Sequence, residues 1–292
     1  MTISDISRAR DQTGCVIALH CSLGSGRQWT KLTEALGPRR RVIAPDIAGY
    51  GDSGILDLPL TLADEVAFLM DRIDAVTGPV HLVGHSYGGA IAFKMATDSP
   101  LASRVRSLTL IEPVLPTLLK ENAADRRLHD LFAQLARNVS VDLSRGMAVE
   151  AIDRFMTYWN GSAAAEPLST EAKLRMVAHI DKLACDFAAA LSEGNVSANA
   201  AGIKVPTLLF SGGLSPYMTQ RIVGRLGSLI EGAEMHHLPS AGHTLPLTHA
   251  RQINPQISAH IARADDLAEI TLASSLAPDG RAADRELGPA PK

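Results

Sequence analysis

A chain of 292 residues with 46% hydrophobic content is long enough to bury one full α/β core, with room for an inserted subdomain. Its net charge of −3 offers no electrostatic footing for nucleic acid or for an anionic membrane. Its three cysteines, Cys15, Cys21 and Cys185, are odd in number and too scattered to frame a metal site or a disulfide scaffold.

In chain order, short β-rich apolar runs alternate with helical patterns, which predicts an α/β fold with a mostly parallel central sheet wrapped by helices. Residues 1–14 are polar, without the apolar core of a signal peptide. A strand at Cys15–His20 precedes a helical pattern at Gly26–Leu36 and a second strand at Arg41–Pro45. A helix at Leu62–Val76 leads to a strand at Val80–Gly84, then a helix at Tyr87–Thr97 and a strand at Ser107–Glu112. These strands read as nearly continuous apolar runs, as expected where both faces of a parallel strand are covered.

From 113 to 203 the rhythm changes. The periodicity there is helical, at Ala124–Val139, Val149–Trp159 and Ser169–Leu191, which predicts a helical cap inserted over the ends of the sheet. The cap holds Phe132, Phe155, Met156, Tyr158, Trp159 and Phe187, residues that build either a packing core or an apolar pocket wall. Strands resume at Val205–Ser211 and Glu234–Leu238, with helical patterns at Tyr217–Leu226 and Thr248–Ala262. The stretch 265–292, rich in Ala, Asp, Pro and Gly, reads as a flexible tail with a short helix at Leu267–Leu276. The expected organisation is a core in two parts, 1–112 and 204–264, a cap at 113–203 and a tail at 265–292. No apolar run reaches the about 18 residues of a membrane span, so a reducing cytoplasm is the expected compartment.

The run Gly84-His85-Ser86-Tyr87-Gly88-Gly89 sits between a clear strand and a clear helix. A nucleophilic serine needs this setting: its Oγ projects from a tight turn at the carboxyl end of the sheet, where ligands bind in such folds. The glycines leave room around the turn, and the helix start aims backbone N–H groups at developing negative charge. Ser86 is inert at its own pKa and needs a base. His243 is the leading candidate, because it follows the last strand through a Pro-Ser-Ala-Gly loop. His85 adjoins Ser86 in sequence and points away from it, His236 and His237 lie within a strand, and His20 suits a structural hydrogen bond.

Several segments in order resemble the α/β-hydrolase superfamily over residues 15–262. His20-Cys21-Ser22-Leu23-Gly24 is similar to its first strand-end loop, and residues 46–53 (DIAGYGDS) to its Asp-x-x-Gly-x-Gly-x-Ser loop. Gly84–Gly89 is similar to its nucleophile elbow, and Ala241-Gly242-His243 to its histidine loop. The resemblance implies a serine nucleophile at Ser86 and its base at His243. A serine at this position sets the chain apart from the dehalogenase and epoxide hydrolase branches, which use aspartate there.

The acid departs from the family pattern. The resemblance implies an aspartate near Ser215, yet no aspartate occurs between Asp186 and Asp265. Glu231 and Glu234 fall at the start of the last strand, at the wrong end of the sheet. Glu112 closes the strand next to the nucleophile's, so it projects towards the same end and keeps the order Ser, acid, His. Asp46 or Asp52, or a bare Ser–His dyad, are the alternatives.

Two donors are expected to hold the oxyanion: the N–H of Tyr87, and, by the resemblance, the N–H of Ser22. Cys21 stands where the family has glycine, so a positive φ there would strain it. The resulting expectation is a hydrolase that cleaves a carboxylic ester, thioester or lactone through an acyl-enzyme, without metal or cofactor. Its expected partner is a small-molecule acyl substrate, with neither nucleic acid nor membrane expected. Carbon–carbon bond hydrolysis of a diketone on the same residues, and a non-catalytic ligand-binding role, are the rivals.

Overall fold

A computed structural model of the chain describes residues 14–53, 61–161 and 169–276. Six strands form one sheet: β1 (Cys15–Leu19), β2 (Val42–Ile43), β3 (Val80–His85), β4 (Val105–Ile111), β5 (Thr207–Gly212) and β6 (Glu234–Leu238). Their order is β2-β1-β3-β4-β5-β6, and every neighbouring pair is parallel. In a parallel sheet all carboxyl ends lie on one side, so the loops after β1, β3, β4 and β6 converge there.

Side chains alternate across the sheet, and the two sets fill two cores. Ile17, Leu19, Leu82, Leu108 and Leu110 face one layer, formed with α2 (Leu62–Arg72) and α3 (Tyr87–Thr97). Val16, Ala18, Val83, Leu208 and Phe210 face the other, where Leu32 of α1 (Thr30–Leu36) packs with Ile253, Ile257 and Ile261 of the last helix. Helix α2 starts at a capping box, in which Thr61 and Asp64 exchange side-chain and backbone hydrogen bonds.

Among the described residues between β4 and β5 the chain makes five α-helices, α4 (Arg126–Ser144), α5 (Ala148–Asn160), α6 (Thr170–Val177), α7 (Ile180–Ser192) and α8 (Val196–Gly202), the inserted helical cap. The single pattern read at Ser169–Leu191 is broken into α6 and α7 at Ala178 and His179. After β5 come α9 (Tyr217–Leu229), the short α10 (Leu245–Thr248) and α11 (Ala250–Leu276). Among the described residues no helix is long and apolar enough to cross a membrane.

Helix α11 runs on past residue 264, where composition placed the start of a flexible tail, and takes in the short helix expected at Leu267–Leu276. Asp265 explains the continuation. Its carboxylate accepts hydrogen bonds from Arg40 Nη2 and Arg106 Nη1, each at 2.7 Å, and lies 3.2 Å from His81 Nε2. Burial opposes its ionisation, but His81, Arg106 and Arg40 outweigh that and hold the carboxyl well below the usual range. The rest of the expected tail, 277–292, lies outside the described residues.

A depressed carboxyl pKa stabilises the fold above about pH 4 and loses that contribution as pH falls through the folded value. Asp265→Asn is therefore expected to lower unfolding stability at pH 7 by about 2–3 kcal/mol, with the difference from the native chain shrinking in acid. Urea titrations at pH 7 and pH 3 check this, and an equal difference at both would contradict it.

Candidate active site

The turn after β3 carries Ser86 at φ 56°, ψ −120°, a conformation that costs a non-glycine residue about 1–3 kcal/mol. Neighbouring glycines make it possible. A Cβ at Gly84 would collide with the Gly88 carbonyl and Ala92, and one at Gly88 with the carbonyls of Leu19 and His20. The turn is held by Ser86 N–H donating to the Ile111 carbonyl, while the Ser86 carbonyl accepts from Gly89, Ala90 and Val114.

Ser86, His243 and Glu112 form one hydrogen-bonded chain. His243 Nε2 lies 2.8 Å from Ser86 Oγ, and His243 Nδ1 lies 2.6 Å from Glu112 Oε2. The other oxygen, Glu112 Oε1, accepts from the Gly212 N–H at 2.7 Å. All three side chains are buried, Glu112 completely. An ionised Glu112 can only accept, and the His243 tautomer that matches it has its proton on Nδ1 and leaves Nε2 to accept from Ser86. Glu112 sits one residue past the end of β4 in the left-handed region, at φ 46°, with its N–H still donating to Phe210.

The other histidines have structural partners. His85 Nε2 donates to the His243 carbonyl at 2.8 Å, which braces the loop behind the imidazole. Burial holds His85 far below the usual histidine range. His20 accepts from the Ile47 N–H through Nε2 and donates to the Cys21 carbonyl through Nδ1, and burial pushes its pKa down to about 4. His237 pairs with Ser211, and His236 lies against Phe210. Asp46 uses one oxygen for the Gly26 N–H and the other for the Asp52 N–H, Asp52 is exposed, and Glu231 and Glu234 pair with Lys204 and Arg263.

Ser22 and Tyr87 border the same small cavity as Ser86. The Tyr87 N–H opens α3, so it has no acceptor within the helix. In the loop after β1 the left-handed residue is Leu23, at φ 59°, and not Cys21. Cysteine is therefore tolerated at 21 because the turn's strain falls two residues later. Burial pushes the Cys21 thiol up to about 12, which leaves it un-ionised beside the site.

Two features were not legible from sequence. Trp159 of the cap stacks on the His243 ring, with centroids 3.9 Å apart and planes 19° apart, and shields one face of the imidazole. Behind Ser22 and Tyr87 lies a buried ion cluster. Lys182 of α7 pairs with both Glu65 of α2 and Asp186 of α7. Asp186 also accepts from the hydroxyls of Ser22 and Tyr50, and Glu65 accepts from the Tyr87 hydroxyl. The spacing of Lys182 and Asp186 is a helical i, i+4 pair, but nothing in the sequence marks it as buried. Burial raises both carboxyl pKa values against the pull of Lys182, Glu65 to about 6. Among the described residues no cluster of His, Cys, Asp or Glu is placed to hold a metal.

Residues 16–256 match the model of the alpha/beta hydrolase family. A Variovorax paradoxus protein, RutD, named for carbamate hydrolysis, is 27% identical over 252 residues, which span 82% of this chain and 88% of that protein. Lipase LipV of Mycobacterium tuberculosis is 36% identical over 101 residues, 34% of this chain and 37% of the lipase. In structure, a hydrolase from Pseudomonas aeruginosa superposes with a TM-score of 0.67 at 21% identity, over 85% of this chain and 90% of that one.

The raised Glu65 pKa carries a sign. A carboxyl that protonates more readily when folded contributes stability that is present below its unfolded pKa and lost as pH rises through about 6. Glu65→Gln removes that loss. Its stability relative to the native chain is expected to rise by about 2 kcal/mol between pH 4.5 and pH 7, read from urea midpoints. A relative stability that stays flat over this range would contradict the assignment.

Proposed function

The chain belongs to the alpha/beta hydrolase family, and we propose that it hydrolyses carboxylic esters through an acyl-enzyme on Ser86, with His243 as base and Glu112 as acid. The observation that supports this reading most is the continuous hydrogen-bonded chain from Ser86 Oγ through His243 to the buried Glu112. A pure binding pocket needs no such relay.

In acylation, Ser86 Oγ attacks the ester carbonyl while His243 Nε2 takes its proton. Glu112 keeps the proton of the ring on Nδ1 and stabilises the imidazolium as it forms. The N–H groups of Tyr87 and Ser22 are the donors proposed for the oxyanion, whose charge develops only as the carbonyl becomes tetrahedral. Collapse breaks the bond between the carbonyl carbon and the alkoxy oxygen, and His243 gives its proton to that oxygen. Water then enters, loses a proton to His243 and attacks the acyl carbon. Ser86 regains its proton as the carboxylic acid leaves.

A burst of p-nitrophenol from p-nitrophenyl acetate, equivalent to one molecule per chain, is the expected signature of the acyl-enzyme, and Ser86→Ala should abolish it. Glu112→Gln should lower kcat by about three to four orders of magnitude while the circular dichroism spectrum stays native, because a glutamine amide at this place favours the wrong imidazole tautomer. A loss of only a few-fold would refute Glu112 as the acid.

A further inference from the structure

Two cavities meet at Ser86 and share Ser22, Phe155 and Trp159 as their common wall. The larger, of about 400 Å³, is bordered by His243, Thr244, Leu247 and Gln28. The smaller, of about 20 Å³, is bordered by Val114, Phe132, Leu183, Phe187 and Ala190, with Tyr87 and Asp186 beside them. His243 borders the larger cavity and does not border the smaller one.

Chemistry assigns the sides. The alkoxy oxygen must receive its proton from His243 Nε2 as its bond to the carbonyl carbon breaks, so the alcohol portion of the ester lies on the His243 side. The acyl chain, still bonded to Ser86 Oγ, then occupies the smaller cavity. At about 20 Å³ against about 400 Å³, the smaller cavity is much the tighter of the two. Such a space favours a short acyl group over a long chain.

The walls resist enlargement. Phe187 packs against Phe132 at 5.2 Å and Phe155 at 6.1 Å between centroids. Leu183 and Phe187 stand on α7, the helix that Lys182 and Asp186 pin to Glu65, Ser22 and Tyr50. With two carboxylates to one ammonium, that cluster also disfavours an anionic acyl group.

We propose that the chain selects esters of short, neutral acyl groups with bulkier alcohols, and that Leu183 and Phe187 set the limit on acyl length. The proposal rests on the reading of Ser86 as nucleophile. Rates (kcat/KM) on p-nitrophenyl acetate, butyrate, hexanoate and octanoate test it, with the native chain and the variants Phe187→Ala, Leu183→Ala and Leu247→Ala. Acetate should exceed hexanoate by about tenfold or more, the scale expected when extra methylenes must overpack a filled site. Phe187→Ala, and Leu183→Ala as an independent variant should the first fail to fold, should raise the hexanoate-to-acetate ratio about tenfold. Leu247→Ala, on the other side, should leave that ratio within about twofold of native. A native preference for hexanoate or octanoate overturns the proposal, as does a ratio that moves in Leu247→Ala but in neither α7 variant. Ser86-dependent hydrolysis with the wrong length preference thus refutes the acyl limit alone. Absence of Ser86-dependent turnover across the whole series overturns the nucleophile reading and the acyl limit together.

Discussion

Glu112 is buried without exposure, and both of its oxygens are engaged, one by the Gly212 N–H and one by His243 Nδ1. An ionised carboxylate in that position would be costly unless satisfied, and these two bonds satisfy it. The arrangement couples three strands. Glu112 leaves β4 in a left-handed conformation, Gly212 ends β5, and His243 follows β6. A shift of any one strand would break a bond to the carboxylate, so the sheet's parallel register and the site's geometry are one constraint. Ser86 joins through β3, whose turn donates its N–H to the carbonyl of Ile111, the residue before Glu112.

The cap adds a second layer of control. Its α5 places Trp159 on the His243 ring, and its α7 places Lys182 against Glu65 and Asp186. Ser22 and Tyr87, the residues whose backbone N–H groups are proposed to hold the oxyanion, are tied to this cluster by their own hydroxyls. A buried ion group of this kind is weak as a source of stability but strong as a source of position, because breaking one partner leaves an uncompensated charge. Seating of the cap and order of the loop after β1 are therefore linked through the same side chains.

Much of this was readable from the chain. The strand patterns located the six strands of the described residues: β1, β3, β4 and β5 are buried parallel strands that leave apolar runs, while the largely exposed edge strand Glu234–Leu238 was placed to the residue without one. The placement of Glu112 near His243 followed from the ends of adjacent parallel strands, together with the chain order Ser, acid, His and the absence of an aspartate between Asp186 and Asp265. What remained hidden depends on tertiary contacts. Trp159 reads like any cap aromatic until it is seen on the imidazole, and Lys182 reads like a solvated helix lysine until α2 and α7 are packed together. The strain expected at Cys21 falls on Leu23, because the loop turns two residues later than the glycine pattern suggests. Of the helix Ala250–Leu276, the two ends were expected at Thr248–Ala262 and Leu267–Leu276, and only their join was missed, because Asp265 finds its partners, Arg40, His81 and Arg106, far away in sequence.

The central claim is that Ser86 is activated through His243. The most direct measurement is treatment of the native chain with a fluorophosphonate, followed by peptide mass spectrometry to locate the adduct. A single adduct on Ser86, formed rapidly in the native chain and lost in His243→Ala, is the predicted result. No adduct, an adduct on another serine, or labelling of Ser86 that proceeds equally fast without His243 would contradict the account.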